Sequence, residues 1–475
     1  MSNYHPSRRV GIMKRMPNEP AELGDESKTE VGQTADWEHL IQQVPRAMQP
    51  LYTTSEANAP IKLYSGQLEV RSPGHTLKGE GTIRCAWTPD AKIEFEIAAD
   101  AVQSIGSILR PTEAKSLVLP SGECAACLTT SVGKRVHGIL NASLSIGPAT
   151  SAAEMFFHLT NCSQVLGAMV SVSDRSVVNG RFLLEAEGWS VLIDPVAEIG
   201  KLRDELKERG GYAITHIGRI GRTDGTPFEI SDGEDVLQAL SHLLSFAHGI
   251  WIAPILIVAR DEHGQKVREI WEPKIIGGNQ FHMSWFSDRQ HRMLPELFPM
   301  FFARWQQPLW NETFRRAIWW YIASNEKAGG LDGAVVLIQV ALELLTWVVC
   351  LEDGHMLSKK GFEGLNAADK IRLLINWMKV PLTIPLELHN LVQFAGAQKE
   401  KWLYGPWAFT EVRNALVHPK NRKLLDNAGA PLYDVWRLGM WYLELAVLHA
   451  CGYRGRYVNR LRVAWAGETE DVPWK

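Results

Sequence analysis

An arginine, an asparagine and a histidine stand close together late in the chain, in Arg413-Asn414-Ala415-Leu416-Val417-His418-Pro419. These side chains suit phosphodiester chemistry. An arginine fork neutralises a phosphate and the charge that builds on its oxygens during transfer. A histidine titrates near neutrality and can take or give a proton. An asparagine amide can orient the substrate or fix the imidazole ring. No metal and no cofactor is called for. The reaction that fits is attack by an RNA 2′-hydroxyl on the adjacent phosphorus, which leaves a 2′,3′-cyclic phosphate. The bland alternative is a helix cap in an inactive helical domain.

Such a trio works only if the backbone holds it. Thr410 offers an N-cap for a short helix over 409–418. Pro419 disfavours a helical conformation at His418, so the helix should end there and leave the imidazole free. Asn414 is four residues earlier and shares the face of His418. Arg413 lies a little over one turn back.

Other groups could support the trio. Glu343 sits in a strongly apolar run, flanked by Ala341, Leu342, Leu344 and Leu345. A carboxylate there should not be buried unpaired, and Arg413 is an attractive partner. Lys370 and Arg372 could touch phosphate, or form a solvated helix face. Lys420, Arg422 and Lys423 follow the motif directly and could guide RNA, or make a soluble loop.

The elements around these residues are helical. Patterns of period 3.6 cover 310–325, 333–351, 366–378, 385–396, 409–418 and 433–451, separated by short loops. That is a helical bundle over 305–465, followed by a tail, 466–475. Within it, the Ala334–Leu351 stretch reaches membrane-spanning length. It carries Gln339 and Glu343 near its middle, so a buried core helix is the better reading and no membrane contact is expected.

Before about residue 305 the texture differs. Apolar and polar residues alternate over 61–70, 79–87 and Lys92–Ile97, with turn residues between the runs. Further extended runs lie at 116–119, 136–146, 154–160, 167–173 and 180–193. Residues 197–208 read as a charged helix and 211–220 as a strand. Ser231 and Glu234 fit a capping box opening a helix to His248. Runs 250–259 and 266–272 flank Asp261-Glu262-His263-Gly264, a hairpin signal. A β-rich domain over 58–304, sandwich-like or a barrel-like layer, is therefore expected. Residues 1–57 are polar and aperiodic, the texture of a disordered tail. The fold class is α+β and multidomain.

Bulk properties narrow the partners. A net charge of −3 over 475 residues gives no global basic field, so any contact with nucleic acid must be local. Six cysteines are too few for a disulfide scaffold, and the N-terminus lacks an apolar signal region, so a cytoplasmic location is expected. Cys124 and Cys127 form a C-x-x-C with no second pair of ligands, which reads as two small residues in an extended stretch rather than a metal site. Many of the 18 tryptophans fall late in the chain, where core and interface packing explains most of them.

Arg413-Asn414-x-x-x-His418 near the end of an all-helical domain resembles the motif of the HEPN superfamily (higher eukaryotes and prokaryotes nucleotide-binding). Its order, with Ala341-Leu342-Glu343 in the apolar helix and then the Phe362–Met378 helix, is similar to ApeA-like HEPN proteins of bacterial anti-phage defence. Those pair a β-rich N-terminal domain with a C-terminal HEPN domain. The resemblance implies an endoribonuclease or a non-catalytic RNA- or protein-binding module. It also implies a homodimer in which two motifs build one site. By the same analogy, the β-rich half would sense a phage-derived trigger.

Overall fold

Alternation in the first half produces a closed barrel, the second of the two expected arrangements, followed by a separate sheet. The computed structural model describes residues 41, 43–54, 56–87, 91–98, 114–132, 135–398, 402, 404–418, 431–462 and 465–475. Strands β1 (Ile61–Ser72), β2 (His75–Ala86), β3 (Lys92–Ala98), β4 (Lys115–Val118), β5 (Cys124–Val132) and β6 (Arg135–Leu140) close into a barrel in the order β1-β2-β3-β6-β5-β4. Strict period two along β3 sends Ile93, Phe95 and Ile97 inward and leaves Lys92, Glu94 and Glu96 partly exposed. A closed barrel has no free edges, which a sandwich would have to protect.

The extended run 136–146 is split between sheets. β7 (Leu144–Ile146) leaves the barrel and pairs with β16 (Lys266–Trp271), far along the chain. Between them come β8 (Ser151–Ala152), β9 (Glu154–Thr160), β10 (Ala168–Ser173), β11 (Ser176–Ala186), β12 (Trp189–Pro195), helix α1 (Ile199–Arg209), β13 (Ile214–Arg222), β14 (Phe228–Glu229), helix α2 (Ile230–His248) and β15 (Ile255–Arg260). The second sheet is antiparallel, in the order β10-β11-β12-β13-β9-β15-β16-β7. The hairpin forms as expected between β15 and β16, where Asp261 Oδ1 accepts from the amides of His263 and Gln265 and Gly264 takes a φ of +74°. Ser231 is not a cap: α2 starts one residue earlier and Glu229, its N-cap, makes no side-chain cap bond.

Both sheets lay aromatic rings across glycines. Phe95 on β3 is registered opposite Gly138 on the adjacent β6, and Phe157 on β9 opposite Gly218 on the adjacent β13. A Cβ at either glycine would overlap the facing ring. Gly218→Ala is expected to cost about 1–3 kcal/mol, the range for an overpacked core. A urea midpoint equal to that of the parent protein would refute this.

The segment after residue 43 is not a free tail. Ala47 N–H donates to Ser171 O, and Met48 N–H to Asp194 Oδ2, while Arg181 grips the same carboxylate with two bonds of 2.7 Å. The amides of Leu51 and Tyr52 donate to His158 Nε2 at 3.0 and 3.2 Å. His158 Nδ1 in turn meets Leu256 O at 3.2 Å, which fixes the neutral tautomer with its proton on Nδ1. Full burial pushes His158 down to about 4, with His216 down to about 3 for the same reason. An unfolded histidine titrates near 6.5, so the unfolded chain binds protons first as the pH falls. Stability is therefore expected to decline from about pH 6.5 toward pH 4. Thermal unfolding across that range checks it, and His158→Gln should make the decline shallower. A flat melting temperature between those limits would overturn the assignment.

The helices follow. α3 (Met293–Trp305) was not foreseen from the sequence. α4 (Pro308–Asn325), α5 (Gly330–Trp347), the short α6 (Lys359–Glu363), α7 (Ala367–Trp377), α8 (His389–Gly396), α9 (Gly405–Val417) and α10 (Leu432–Ala450) come next; all but α6, which was not foreseen, fall on the six expected helical patterns, with α8 starting four residues later and α9 four residues earlier than expected. Asn366 caps α7 by accepting from the amide of Asp369. α5 runs on through a π turn, Val348–Asp353, and Gly330–Asp353 is long and apolar enough to cross a membrane. Its residues instead pack on α4, α7, α9 and α10, as a core helix would. Residues expected as a final tail also pack: β17 (Arg456–Tyr457) pairs with β18 (Glu470–Asp471), and Val472 is buried.

Two apolar cores result. One fills the barrel and reaches Ile199, Leu202 and Leu206 of α1. The other is continuous from the second sheet through α2 and α3 into the later helices. α3 packs on β11 and α2 on α4, so the core crosses residue 305 without a break.

Candidate nucleic-acid interface

α9 begins at Gly405, with Pro406 in its first turn, where a missing N–H is harmless. Thr410 is thus inside the helix and not its cap. Its hydroxyl donates to Pro406 O at 2.9 Å, four residues back. The helix stops where the sequence says. His418 has φ −113° and ψ 111°, an extended conformation suited to a residue before proline, and its N–H donates to Asn414 O at 2.9 Å.

This places the trio at one helix end. Arg413 and Asn414 are half-buried and His418 is exposed. Arg413 Nη1 donates to Asn414 Oδ1 at 3.3 Å, which leaves the asparagine amide nitrogen as a donor. Arg413 Nε is buried without a partner among the described residues. Burying a guanidinium N–H unmet costs free energy, so this donor is suited to an incoming acceptor.

The expected ion pair with Glu343 does not form. Glu343 Oε1 accepts from Gln339 Nε2 at 2.6 Å, one turn back on α5, and no ion pair joins it to Arg413 among the described residues. The physical reason lies in α5: a carboxylate at this position finds a neighbour on its own helix at i−4 before it reaches α9. Glu343 therefore orders Gln339, not the guanidinium.

α7 packs on α9, but its two cations are engaged elsewhere. Arg372 pairs with Asp369 at 2.9 Å and lies over the Tyr404 ring at 5.7 Å. Lys370 sits over the Phe362 ring at 4.9 Å. Arg372 thereby touches the residue just before α9, and Lys370 does not. Pro419, Lys420, Arg422 and Lys423 lie outside the described residues. The C-x-x-C is on β5, where an odd spacing turns Cys124 outward and Cys127 inward, so the two thiols cannot share an ion. Among the described residues no group of three or more potential ligands could hold a metal.

Sequence reasoning missed a buried polar network behind the helices. Arg460 and Glu444 are almost fully buried, with Arg460 Nε donating to Glu444 Oε2 at 2.9 Å. Tyr321 Oη donates to Glu444 Oε1 at 2.8 Å. Arg460 Nη2 also donates to Met283 O at 2.8 Å, which Asn325 Nδ2 meets at 3.1 Å. The signal was present: Glu444, like Glu343, is a carboxylate inside an apolar helix, and such a group needs a partner.

Comparison with known proteins places the fold among relatives. Residues 147–281 match the model of the YopA central domain, and residues 307–471 that of the YopA C-terminal domain. The first match covers most of the second sheet with α1 and α2, and the second runs from the start of α4 to β18. No solved structure matches. The SPbeta prophage-derived uncharacterized protein YopA of Bacillus subtilis (strain 168) is 31% identical over 448 residues, which are 90% of this chain and 98% of that protein. With such coverage of both chains, the chain belongs to the YopA family.

Proposed function

We propose that the end of α9 is the working site of a metal-independent endoribonuclease of HEPN type. One observation carries this reading: an exposed His418 at a helix end beside Arg413, whose buried Nε has no partner among the described residues. Arg413 would hold the scissile phosphate and its developing charge. Asn414 would orient the substrate through its free amide nitrogen. His418 would move the proton. The 2′-oxygen forms a bond to phosphorus, the P–O5′ bond breaks, and the 5′-oxygen takes up a proton. A second copy of the chain would supply the second imidazole, so that one acts as base and the other as acid. The prophage origin of the Bacillus relative supports a place in conflicts between phage and host.

The bond between Arg413 and Asn414 favours a second reading, a module that binds RNA or a protein without cutting it, because it holds the guanidinium partly occupied. The same experiment separates them. Purified protein is incubated with total RNA in EDTA and the fragment ends are analysed. Cleavage leaving 2′,3′-cyclic phosphates is expected, lost in Arg413→Ala. Retention of RNA on the protein without new ends would select the binding module, and neither binding nor cleavage would reject both.

A further inference from the structure

A cavity of about 560 Å³, with no α9 residue in its lining, lies between α1, the C-terminal end of α2, the strap 279–289 and residues 465–468. Its size is that of a small-ligand site. Two of its cations have no carboxylate partner among the described residues. Arg203, half-buried on α1, donates to the neutral Gln164 Oε1 at 3.0 Å. The Arg289 guanidinium has no side-chain partner among the described residues, and its stem passes over Gly467, where a Cβ would come within 3.2 Å of it. Such unpaired guanidinium forks favour phosphate.

The mouth carries a second signal. Phe281 is 91% exposed and Trp465 is 88% exposed, the two most exposed large hydrophobic side chains described, and both line this same cavity. Aromatic rings left in water at a pocket mouth suit a planar ring that stacks on them. Asp288 also lines the cavity, half-buried and close enough to His248 to act on it electrostatically; with no side-chain hydrogen bond among the described residues, it can accept from the amino and ring N–H groups of a base. The inner wall is neutral. His248 Nδ1 meets Leu244 O at 2.9 Å, which leaves Nε2 to accept the Cys162 thiol at 3.7 Å.

From these features we infer that the cavity binds a nucleotide, with its phosphates on Arg203 and Arg289 and its base against Phe281 and Trp465. The site does not depend on the ribonuclease reading. The strap is tied to the helices at Met283 O, which accepts from both Arg460 and Asn325.

The full chain is titrated with ATP, GTP, CTP and UTP, with inorganic phosphate, and with a 5′-phosphorylated oligoribonucleotide, followed by tryptophan fluorescence and calorimetry. At least one nucleotide is expected to bind and to quench fluorescence. Phosphate alone should bind at least about tenfold more weakly. Arg203→Gln and Arg289→Gln should each weaken the nucleotide by about tenfold, with unchanged melting temperature of the free protein. Trp465→Phe should keep most of the affinity and lose most of the quench. Tighter binding of the oligonucleotide than of any free nucleotide would assign the same site to an RNA end. The inference fails if no nucleotide binds at ~1 mM, if phosphate binds as tightly, or if both arginine variants bind unchanged.

Discussion

Arg460→Met should destabilise the fold by about 3–5 kcal/mol, because it strands a carboxylate in the core. Glu444 is fully buried on α10 and would keep only the Tyr321 hydroxyl as a partner. The charge cannot escape to solvent, since Glu444 faces α4 and the 460 segment from within the second core. The pairing Glu444→Leu with Arg460→Met should recover most of the loss, because removing both charges removes the desolvation penalty with them. Recovery would stop short by the bonds lost at Met283 O and Tyr321 Oη, about 1 kcal/mol each. Denaturant midpoints of the two variants test this directly. A single variant as stable as the parent would show that Glu444 is neutralised or relieved in another way, and the network would then not anchor the strap.

His418→Ala should lower RNA cleavage by a factor on the order of 10²–10⁴, the usual range for a proton-transfer group. The imidazole is exposed and its ring has no hydrogen-bond partner among the described residues, so the fold should be untouched. An unchanged melting temperature with activity lost is therefore the expected pair of results. Equal cleavage in the variant would remove His418 from the chemistry. Mixing His418→Ala with Arg413→Ala protein adds a sharper readout. If two copies share one site, a mixed dimer should regain part of the activity that neither variant has alone.

The positions of the later helices were legible because each buries one stripe and is bounded by short-range signals. Leu432–Ala450 and Ala367–Trp377 fall within one residue of the expected 433–451 and 366–378. The end of α9 was legible for a local reason too, since Pro419 constrains His418 whatever the rest of the chain does. The start of α9 was not. Thr410 has the chemistry of a cap, but Pro406 and the packing of Ala408 and Phe409 extend the helix by a turn before it. α3 was hidden by Pro295 and Pro299, which read as breakers, while burial of Leu294, Leu297, Phe298, Phe301 and Phe302 holds the helix across them.

The sequence alone determined most of the strand and helix segments and the placing of Arg413, Asn414 and His418 in the last turn and a half of α9, because hydrophobic period and proline sterics act over a few residues. Tertiary structure decided the rest. A period of two does not say which strand lies beside which, so the closed barrel, the separate second sheet and the pairing of β7 with β16 follow only from long-range hydrogen bonding. It also chose partners for the buried charges. Glu343 found Gln339 within its own helix, whereas Glu444 found Arg460 sixteen residues on, across a loop that brings a guanidinium into the core. A buried carboxylate must be satisfied, but its sequence context does not say by whom, since the candidates are brought near only when the helices pack.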